Sequence, residues 1–221
     1  MPVKINEREY RKIDAALMET RKGESGEMVV EGYATTFNQP YELMRDKNVI
    51  VNEQVDANAF AETDMSDTIM QYDHTGRVFA RVKNGTLILE PDEHGLRVRA
   101  NLGGTEIGRQ LFEEIAGGYT NKMSFGFTVT GQKRERSKDA EGNTVILRTI
   151  TKVGRLFDVS AVSLPANDAT EISSRAIGDG LIAEALEEVR AEEERQLKEQ
   201  AEQERRKALA DWLENYEKEE K

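Results

Sequence analysis

The sequence predicts a mainly β protein with one internal helix and a helical C-terminal tail. Large apolar and small residues alternate along 122–129, which reads KMSFGFTV, and a period of two is typical of a strand with one buried face. Two turn signals, Asn84-Gly85 and 92–95, divide another stretch into short strands. The residues that follow Gly180 include no Pro or Gly and are rich in Glu, Arg, Ala, Lys and Gln, which favours a helix.

The other strands are predicted from apolar, β-branched stretches that lie between turn residues. A polar stretch at 131–143 is predicted to be an exposed loop, and residues 1–25 are charged and weakly patterned. In chain order, the further strands are expected at 28–37, 49–55, 67–74, several times within 79–102, and at 144–151 and 153–164.

The internal helix is predicted to begin after Thr105, which is a good N-cap residue. Ile107, Leu111 and Ile115 follow at intervals of four, so one face of the helix is apolar. A pair of glycines at 117–118 is expected to end it.

Charge and composition narrow the classes of function. The chain has 221 residues and a net charge of −11, and an acidic chain lacks the basic face that binds nucleic acid. It has no cysteine, which excludes disulfides, thiolate chemistry and sulfur-ligated metal sites. No apolar stretch has the length of a signal peptide core or of a membrane span. We therefore expect a soluble, cytoplasmic protein with neither nucleic acid nor membrane as a partner.

The residues from Gly180 to the end form a separate acidic segment with 14 acidic and 8 basic residues, a net charge of −6. Their apolar residues cluster at 181–189 and at 209–216, and the stretch between has too few for a sustained heptad repeat. Two interpretations stay open: the segment is a charged solubilising tail, or it is a docking arm that binds a partner through its two apolar clusters.

The two histidines are candidates for proton transfer. His94 lies in the turn DEHG, where a surface role is expected. His74 ends the stretch DTIMQYDH, on the strand face that it would share with Met70 and Tyr72. A structural role is the simpler interpretation of that position, and a general base is the alternative. Two histidines without cysteine do not make a structural zinc site, and no ligand spacing suggests another metal, so no metal or cofactor is expected.

Ser124 and Asp158 could supply the other groups of a nucleophilic site. Ser124 lies on the small face of the 122–129 strand, two residues before Gly126. Asp158 lies in the apolar stretch GRLFDVSAVSLPAN, where a buried carboxylate is costly unless it is hydrogen-bonded or paired. An Asp that faces solvent on an edge strand is the simpler interpretation. The alternative is that Ser124, His74 and Asp158 act as nucleophile, base and orienting acid. A Gly-x-Ser-x-Gly elbow is absent, which disfavours an α/β-hydrolase.

Three stretches taken together resemble the prohead proteases of tailed phages. They are MQYDHT around His74, MSFGF around Ser124 after a helix and a glycine pair, and LFDVSAVSLPAN around Asp158. Members of this family are serine proteases that trim capsid and scaffold proteins during head maturation. Their fold is similar to that of the herpesvirus capsid assembly protease, assemblin, a β-barrel with surrounding helices. The resemblance covers about 27–176.

The resemblance implies a fold and a catalytic role for each of three residues. The fold is expected to be a closed or nearly closed β-barrel of the assemblin type with an internal helix and the C-terminal helical tail. Ser124 matches the nucleophile, His74 the general base and Asp158 the third member, which is usually an acid in the phage enzymes. In the herpesvirus relatives an arginine loop contributes to the oxyanion site, and Arg148 and Arg155 are the candidates here.

The resemblance also implies a domain organisation and a setting. A charged N-terminal segment would cover 1–26, the protease domain 27–178, and an acidic tail 179–221 that docks on scaffold or capsid, or is removed by self-cleavage. The partners would be the major capsid protein and scaffold segments, as substrates inside the assembling procapsid in the host cytoplasm. Whether the chain forms a homo-oligomer stays open.

Two other functions compete with a maturation protease. In the first, the chain is a non-enzymatic scaffold or assembly protein, with a structural β-barrel and an interacting tail. In the second, it is an esterase-like hydrolase that acts on small molecules. The functional dependence on Ser124 and His74 separates the scaffold protein from the two enzymes, because the scaffold protein alone would be indifferent to both side chains. A small ester turned over far better than any peptide would favour the esterase over the protease.

Overall fold

The computed structural model describes residues 8–13, 18–23, 27–46 and 48–162, helical positions at 183, 187, 191 and 194–195, and a helical stretch at 198–207. An α-helix, α1 (Glu106–Ala116), lies between the ninth and tenth strands. The strands are β1 (Arg8–Ile13), β2 (Glu19–Lys22), β3 (Met28–Thr36), β4 (Tyr41–Asp46), β5 (Val49–Val55), β6 (Ile69–Tyr72), β7 (Thr75–Arg81), β8 (Leu87–Pro91), β9 (Gly95–Asn101), β10 (Lys122–Lys138) and β11 (Thr144–Val162).

The described strands form two sheets. The larger sheet has seven strands, with the main path β1-β10-β11-β5-β4, and β6 pairs with both β11 and β7. Strand β11 is long enough to pair in parallel with β5 along 144–150 and with β6 along 158–161. This pairing places the β6–β7 hairpin beside the β10–β11 hairpin.

The smaller sheet has the order β2-β3-β9-β8 and packs on the larger one where β3 contacts β1 and β10. The predicted apolar face of 122–129 lies in the core between them: Met123, Phe125 and Phe127 are fully buried, and Val129 is nearly so. The rings of Phe125 and Phe127 stack with their centroids 4.5 Å apart. Burial of this face anchors β10 and therefore fixes the position of the side chains on the opposite face of the strand.

The mainly β class with helices is confirmed, but the closed barrel is wrong. In the part of the chain that the structure describes, β1 and β4 are the outer strands of the larger sheet's main path, and no ladder joins them. Strand β3, which could have continued that sheet, pairs with β2 and β9 instead. A single bridge from Phe37 to Val55 links the two sheets at one end, so the larger sheet stays open.

The internal helix forms as predicted. The Thr105 side chain accepts a hydrogen bond from the backbone N–H of Gly108 at 3.0 Å, as an N-cap does. Leu111, Phe112 and Ile115 are buried and pack into the core. The backbone N–H of Gly117 then bonds to the Glu113 carbonyl at 2.8 Å, where the helix ends.

The polar regions of the chain are where the predicted elements are wrong. Strands β1 and β2 lie in the segment that shows little pattern, and β10 continues to Lys138 through the stretch predicted to be a loop. That continuation is exposed from 133 to 138 and pairs with the start of β11, since cross-strand backbone bonds form whatever the side chains are. In addition, 144–162 is one strand and not two.

The described residues of the tail at 198–207 are helical and exposed. The two apolar clusters predicted for the tail, and the Pro-Ala-Asn stretch that follows β11, lie outside the described residues. Within the described part of the chain, no helix is long and apolar enough to cross a membrane.

Candidate active site

Adjacent strands place two predicted site residues on one face of the larger sheet. In the antiparallel register of β10 and β11, Ser124 lies opposite Ser160 and Gly126 lies opposite Asp158. Because side chains alternate between faces along a strand, all four residues point to the same side. Ser124 and Asp158 are thus diagonal neighbours, with a gap between them that Gly126 leaves unfilled.

His74 reaches this gap from a tight turn. Tyr72 pairs with Thr75, so Asp73 and His74 are the two central residues of the β6–β7 hairpin, and their φ angles are 46° and 58°. Two consecutive positive φ values are what a two-residue type I′ turn requires, and Asp and His adopt that conformation more readily than most residues. The prediction that His74 lies on a strand face is therefore wrong, because β6 ends at Tyr72.

The three predicted side chains are in direct contact. His74 Nε2 lies 2.6 Å from Ser124 Oγ, and His74 Nδ1 lies 2.5 Å from Asp158 Oδ2. All three residues are buried: 1% of Ser124, 8% of His74 and none of Asp158 is exposed. An imidazole held between a hydroxyl and a carboxylate can take the hydroxyl proton while the carboxylate stabilises the resulting imidazolium.

Asp158 has two further partners that sequence reasoning missed. The Ser160 hydroxyl donates to Asp158 Oδ2 at 3.1 Å, and the Arg8 guanidinium forms an ion pair with Oδ1. These partners satisfy both oxygens of a carboxylate that would otherwise be costly to bury. The period of two along LFDVSAVS places Ser160 on the same face as Asp158, so Ser160 could have been found. Nothing in the charged N-terminal stretch indicates Arg8.

Strand β1 covers the site. It pairs antiparallel with β10, with Tyr10 opposite Gly126 and the backbone of Lys12 opposite Ser124. The Ser124 hydroxyl lies 2.9 Å from the carbonyl oxygen of Arg11. The Tyr10 ring packs edge-on against the His74 ring, with their centroids 4.5 Å apart. The space beside Gly126 is therefore filled by β1.

Gly126 is required by this close approach. A Cβ atom at this position would lie 2.6 Å from Asp158 Oδ1, 2.9 Å from Cε1 of Tyr10 and 3.1 Å from Nε of Arg8. We expect Gly126→Ala to lower the free energy of unfolding by about 1–3 kcal/mol, as overpacking of a filled interior does. Urea unfolding measures the change. Gly104→Ala is the matched control, because no atom lies within 4 Å of its Cβ position, and it should change stability by less than about 0.5 kcal/mol. Equal effects of the two changes would contradict the close packing at Gly126.

The opposite face of β1 enters a buried group of four charges, Glu9, Arg11, Glu53 and Arg148, here named the charge cluster. Arg11 bonds to Glu53 at 2.5 and 3.0 Å and to Glu9 at 2.6 Å. Arg148 bonds to Glu53 at 2.5 Å and to Glu9 at 2.9 and 3.0 Å. Two acids and two bases make the cluster neutral, and this compensates for a burial that would otherwise be very costly.

The charge cluster explains the ionisation of Glu53. Burial alone would raise the pKa of Glu53, but Arg11 and Arg148 outweigh it and lower that pKa to about 2. The Tyr41 hydroxyl also donates to Glu53, at 2.5 Å. Glu53 is therefore ionised throughout the physiological range.

Neither arginine suggested for the oxyanion site contacts Ser124. The Arg148 guanidinium bonds to Glu9 and Glu53 and, through Nε, to Gln132 at 2.7 Å. Arg155 is half-exposed and lies over the Phe157 ring, 5.2 Å from its centroid. These contacts give Arg148 a structural role and leave neither side chain directed at the nucleophile.

A groove lies beside the β6–β7 hairpin, and none of the three site residues lines it. It has a volume of about 480 Å³ and lies between that hairpin and α1, with Tyr72, Phe79 and Leu111 among its apolar walls. The other histidine, His94, lies in the exposed β8–β9 turn and packs edge-on against Tyr33. In the described part of the chain, no three His, Asp or Glu side chains are placed to hold a metal ion.

A mainly β fold with a serine, a histidine and an aspartate in continuous contact has the arrangement of a serine hydrolase. The family model described as caudovirus prohead serine protease matches residues 16–181, and the chain belongs to that family. No curated protein gives a significant match. A solved structure described as the bacteriophage T4 capsid assembly protease, gp21, is similar with 14% sequence identity and a TM-score of 0.41. That similarity covers 71% of this chain and 99% of the other.

Proposed function

We propose that this chain is a serine endopeptidase that cleaves scaffold or capsid protein segments, and itself, inside the assembling phage procapsid. The observation that carries the proposal is the continuous contact from Ser124 through His74 to Asp158, in a member of the prohead serine protease family. The family is described as one of prohead serine proteases, and the proteins of the prohead, capsid and scaffold, are accordingly the substrates proposed here.

In the proposed mechanism, Ser124 Oγ attacks the carbonyl carbon of the scissile peptide bond while His74 Nε2 takes the hydroxyl proton. The imidazolium then gives that proton to the nitrogen of the leaving amine, and the C–N bond breaks. Water, deprotonated by His74, attacks the ester that remains and releases Ser124. Asp158 holds the imidazole by Nδ1 throughout, and its contact with Ser160 fixes the orientation of the carboxylate.

The acidic tail, 179–221, is proposed to bring the enzyme to its substrates. A helical arm that binds scaffold or the inner capsid surface raises the effective concentration of protease within the shell. The described residues at 198–207 are exposed and helical, which leaves their side chains available to a partner. The tail is also proposed to be removed by self-cleavage during maturation.

The test is co-expression of the full chain with candidate scaffold and capsid proteins. Mass spectrometry should find new protein termini with the wild type and none with Ser124→Ala. Equal processing by both proteins would leave the non-enzymatic scaffold role standing. Turnover of a small nitrophenyl ester far faster than of a peptide that spans the mapped cut site would favour the esterase.

Removal of 180–221 should lower the amount of protease inside proheads, and unchanged incorporation would refute the docking role.

A further inference from the structure

Strand β1 occupies the edge of β10 that an incoming peptide would use. One edge of β10 is bound to β11, and the other is bound to β1 from Met123 to Thr128, a range that includes Ser124. Extended peptides commonly bind proteins by adding a strand to a sheet edge, because the backbone hydrogen bonds are then supplied in register. The N-terminal segment therefore takes the place of an extended substrate beside the nucleophile.

The contact between Ser124 and β1 competes with the hydrogen bond that the Ser124 hydroxyl must donate to its base. The hydroxyl has one hydrogen, and donation to the Arg11 carbonyl makes Oγ an acceptor toward His74 Nε2. Since Nδ1 donates to Asp158 at the same time, both ring nitrogens then carry a proton. If the hydroxyl turns to His74 instead, the Arg11 carbonyl is left 2.9 Å from an oxygen that gives it no hydrogen. With β1 in place, either His74 Nε2 donates a proton to Ser124 and is not free to accept one, or the Arg11 carbonyl receives no hydrogen bond from the Ser124 hydroxyl.

The side chains of β1 close the remaining access. Tyr10 lies against His74, and the Arg8 guanidinium pairs with Asp158 and lies 4.7 Å from the centroid of the Phe157 ring. A protein substrate cannot reach a serine that is only 1% exposed. Cleavage by this site thus requires that β1 move.

The charge cluster makes this movement feasible. Glu9 and Arg11 leave together with β1, as one negative and one positive charge. Glu53 and Arg148 remain, bonded to each other at 2.5 Å, and each keeps another partner, Tyr41 for Glu53 and Gln132 for Arg148. A buried pair with its hydrogen bonds intact avoids the large penalty of an unpaired buried charge.

We propose that residues 8–13 are an intramolecular inhibitor of this protease, and that their release from β10 opens the active site to substrate. The proposal rests on the proposed function, since it assigns an inhibitor to that same site. The strand lies before the residues that match the family model, 16–181.

A disulfide that locks β1 in place tests the proposal in the full chain. Arg8 and Thr128 are register partners across β1 and β10, and the chain has no cysteine of its own, so R8C/T128C creates a single possible intramolecular bridge. The matched control is E90C/R97C, a register pair in the smaller sheet whose residues are both exposed. The readout is the rate at which a fluorophosphonate probe labels Ser124, measured for oxidised and reduced protein and confirmed by peptide mass spectrometry.

We expect the oxidised R8C/T128C protein to be labelled at least about tenfold more slowly than the same protein after reduction. Oxidation of E90C/R97C should not change the rate. Equal labelling of oxidised and reduced R8C/T128C, with the bridge verified by mass, would overturn the inhibitor and leave the proposed protease intact. Absence of labelling in every form, released or locked, would instead overturn the proposed function itself.

Hydrogen exchange gives a second readout that needs no substitution. After the probe has reacted with Ser124 of the wild type, the amides of β1 should lose their protection, while those at 144–150 in β11 should keep theirs. Protection of β1 that survives the reaction would show that the site works with the strand bound, and would overturn the proposal.

Discussion

Ser124→Ala is expected to lower kcat/KM for peptide cleavage by about 10⁴- to 10⁶-fold, because in the proposed mechanism the Ser124 hydroxyl, in contact with His74, forms the acyl intermediate. The change removes one oxygen from a side chain that is packed against β1 and β11, so the fold should be kept. Quantitative cleavage of a peptide that spans a mapped cut site measures the loss.

Ser137→Ala is the matched control for this loss. Ser137 lies on the same strand but in its exposed continuation, so its replacement should leave cleavage within about twofold of the wild type. A Ser124→Ala protein that retains more than about a hundredth of the wild-type rate would show that the nucleophile lies elsewhere.

Glu53→Gln is expected to lower the free energy of unfolding at pH 7 by about 3–5 kcal/mol. The neutral amide leaves Arg11 and Arg148 buried with only Glu9 between them, and an uncompensated buried charge is strongly destabilising. Denaturant unfolding measures the change. Glu62→Gln is the matched control, because Glu62 makes an exposed pair with Lys152 at 2.9 Å, and its loss should cost less than about 1 kcal/mol. Equal costs for the two variants would contradict the role assigned to the charge cluster.

The same carboxylate predicts how stability falls with acid. The pKa of Glu53 is lowered from 4.5 to about 2 in the folded protein, so its contribution to stability, about 3 kcal/mol, is complete above pH 4.5. It is lost as the pH falls from 4.5 to 2, because the unfolded chain takes up the proton first. Unfolding of the wild type between these pH values should be steeper in pH than that of Glu53→Gln. Parallel curves would contradict the lowered pKa.

The parts of this fold that could be predicted from sequence are those in which apolar residues carry the signal. The alternation of Met123, Phe125 and Phe127 identifies β10 and the face that Ser124 occupies. The interval of four from Ile107 to Ile115 identifies α1. Such patterns arise because burial selects for one face of an element. These patterns show which side chains face the core, but they do not show which strand pairs with the element.

The site was harder to predict where charges replace apolar residues. Strand β1 reads REYRKI, in which Glu9 and Arg11 are as buried as a core leucine only because Glu53 and Arg148, far along the chain, neutralise them. No local pattern shows that compensation. The turn at Asp73 and His74 was missed for a related reason, because it lacks the Asn-Gly or Asp-Gly pair that usually marks this type of hairpin.

The left-handed backbone of His74 also determines how an inert version of the protein should be made. A β-branched or bulky replacement would strain the hairpin and disturb the groove beside it, whereas asparagine accepts a φ of 58° with little cost. His74→Asn is therefore the substitution suited to a catalytically silent bait that keeps the hairpin backbone undistorted. Complexes captured with such a bait would report which polypeptides bind the protein, before any bond is cut.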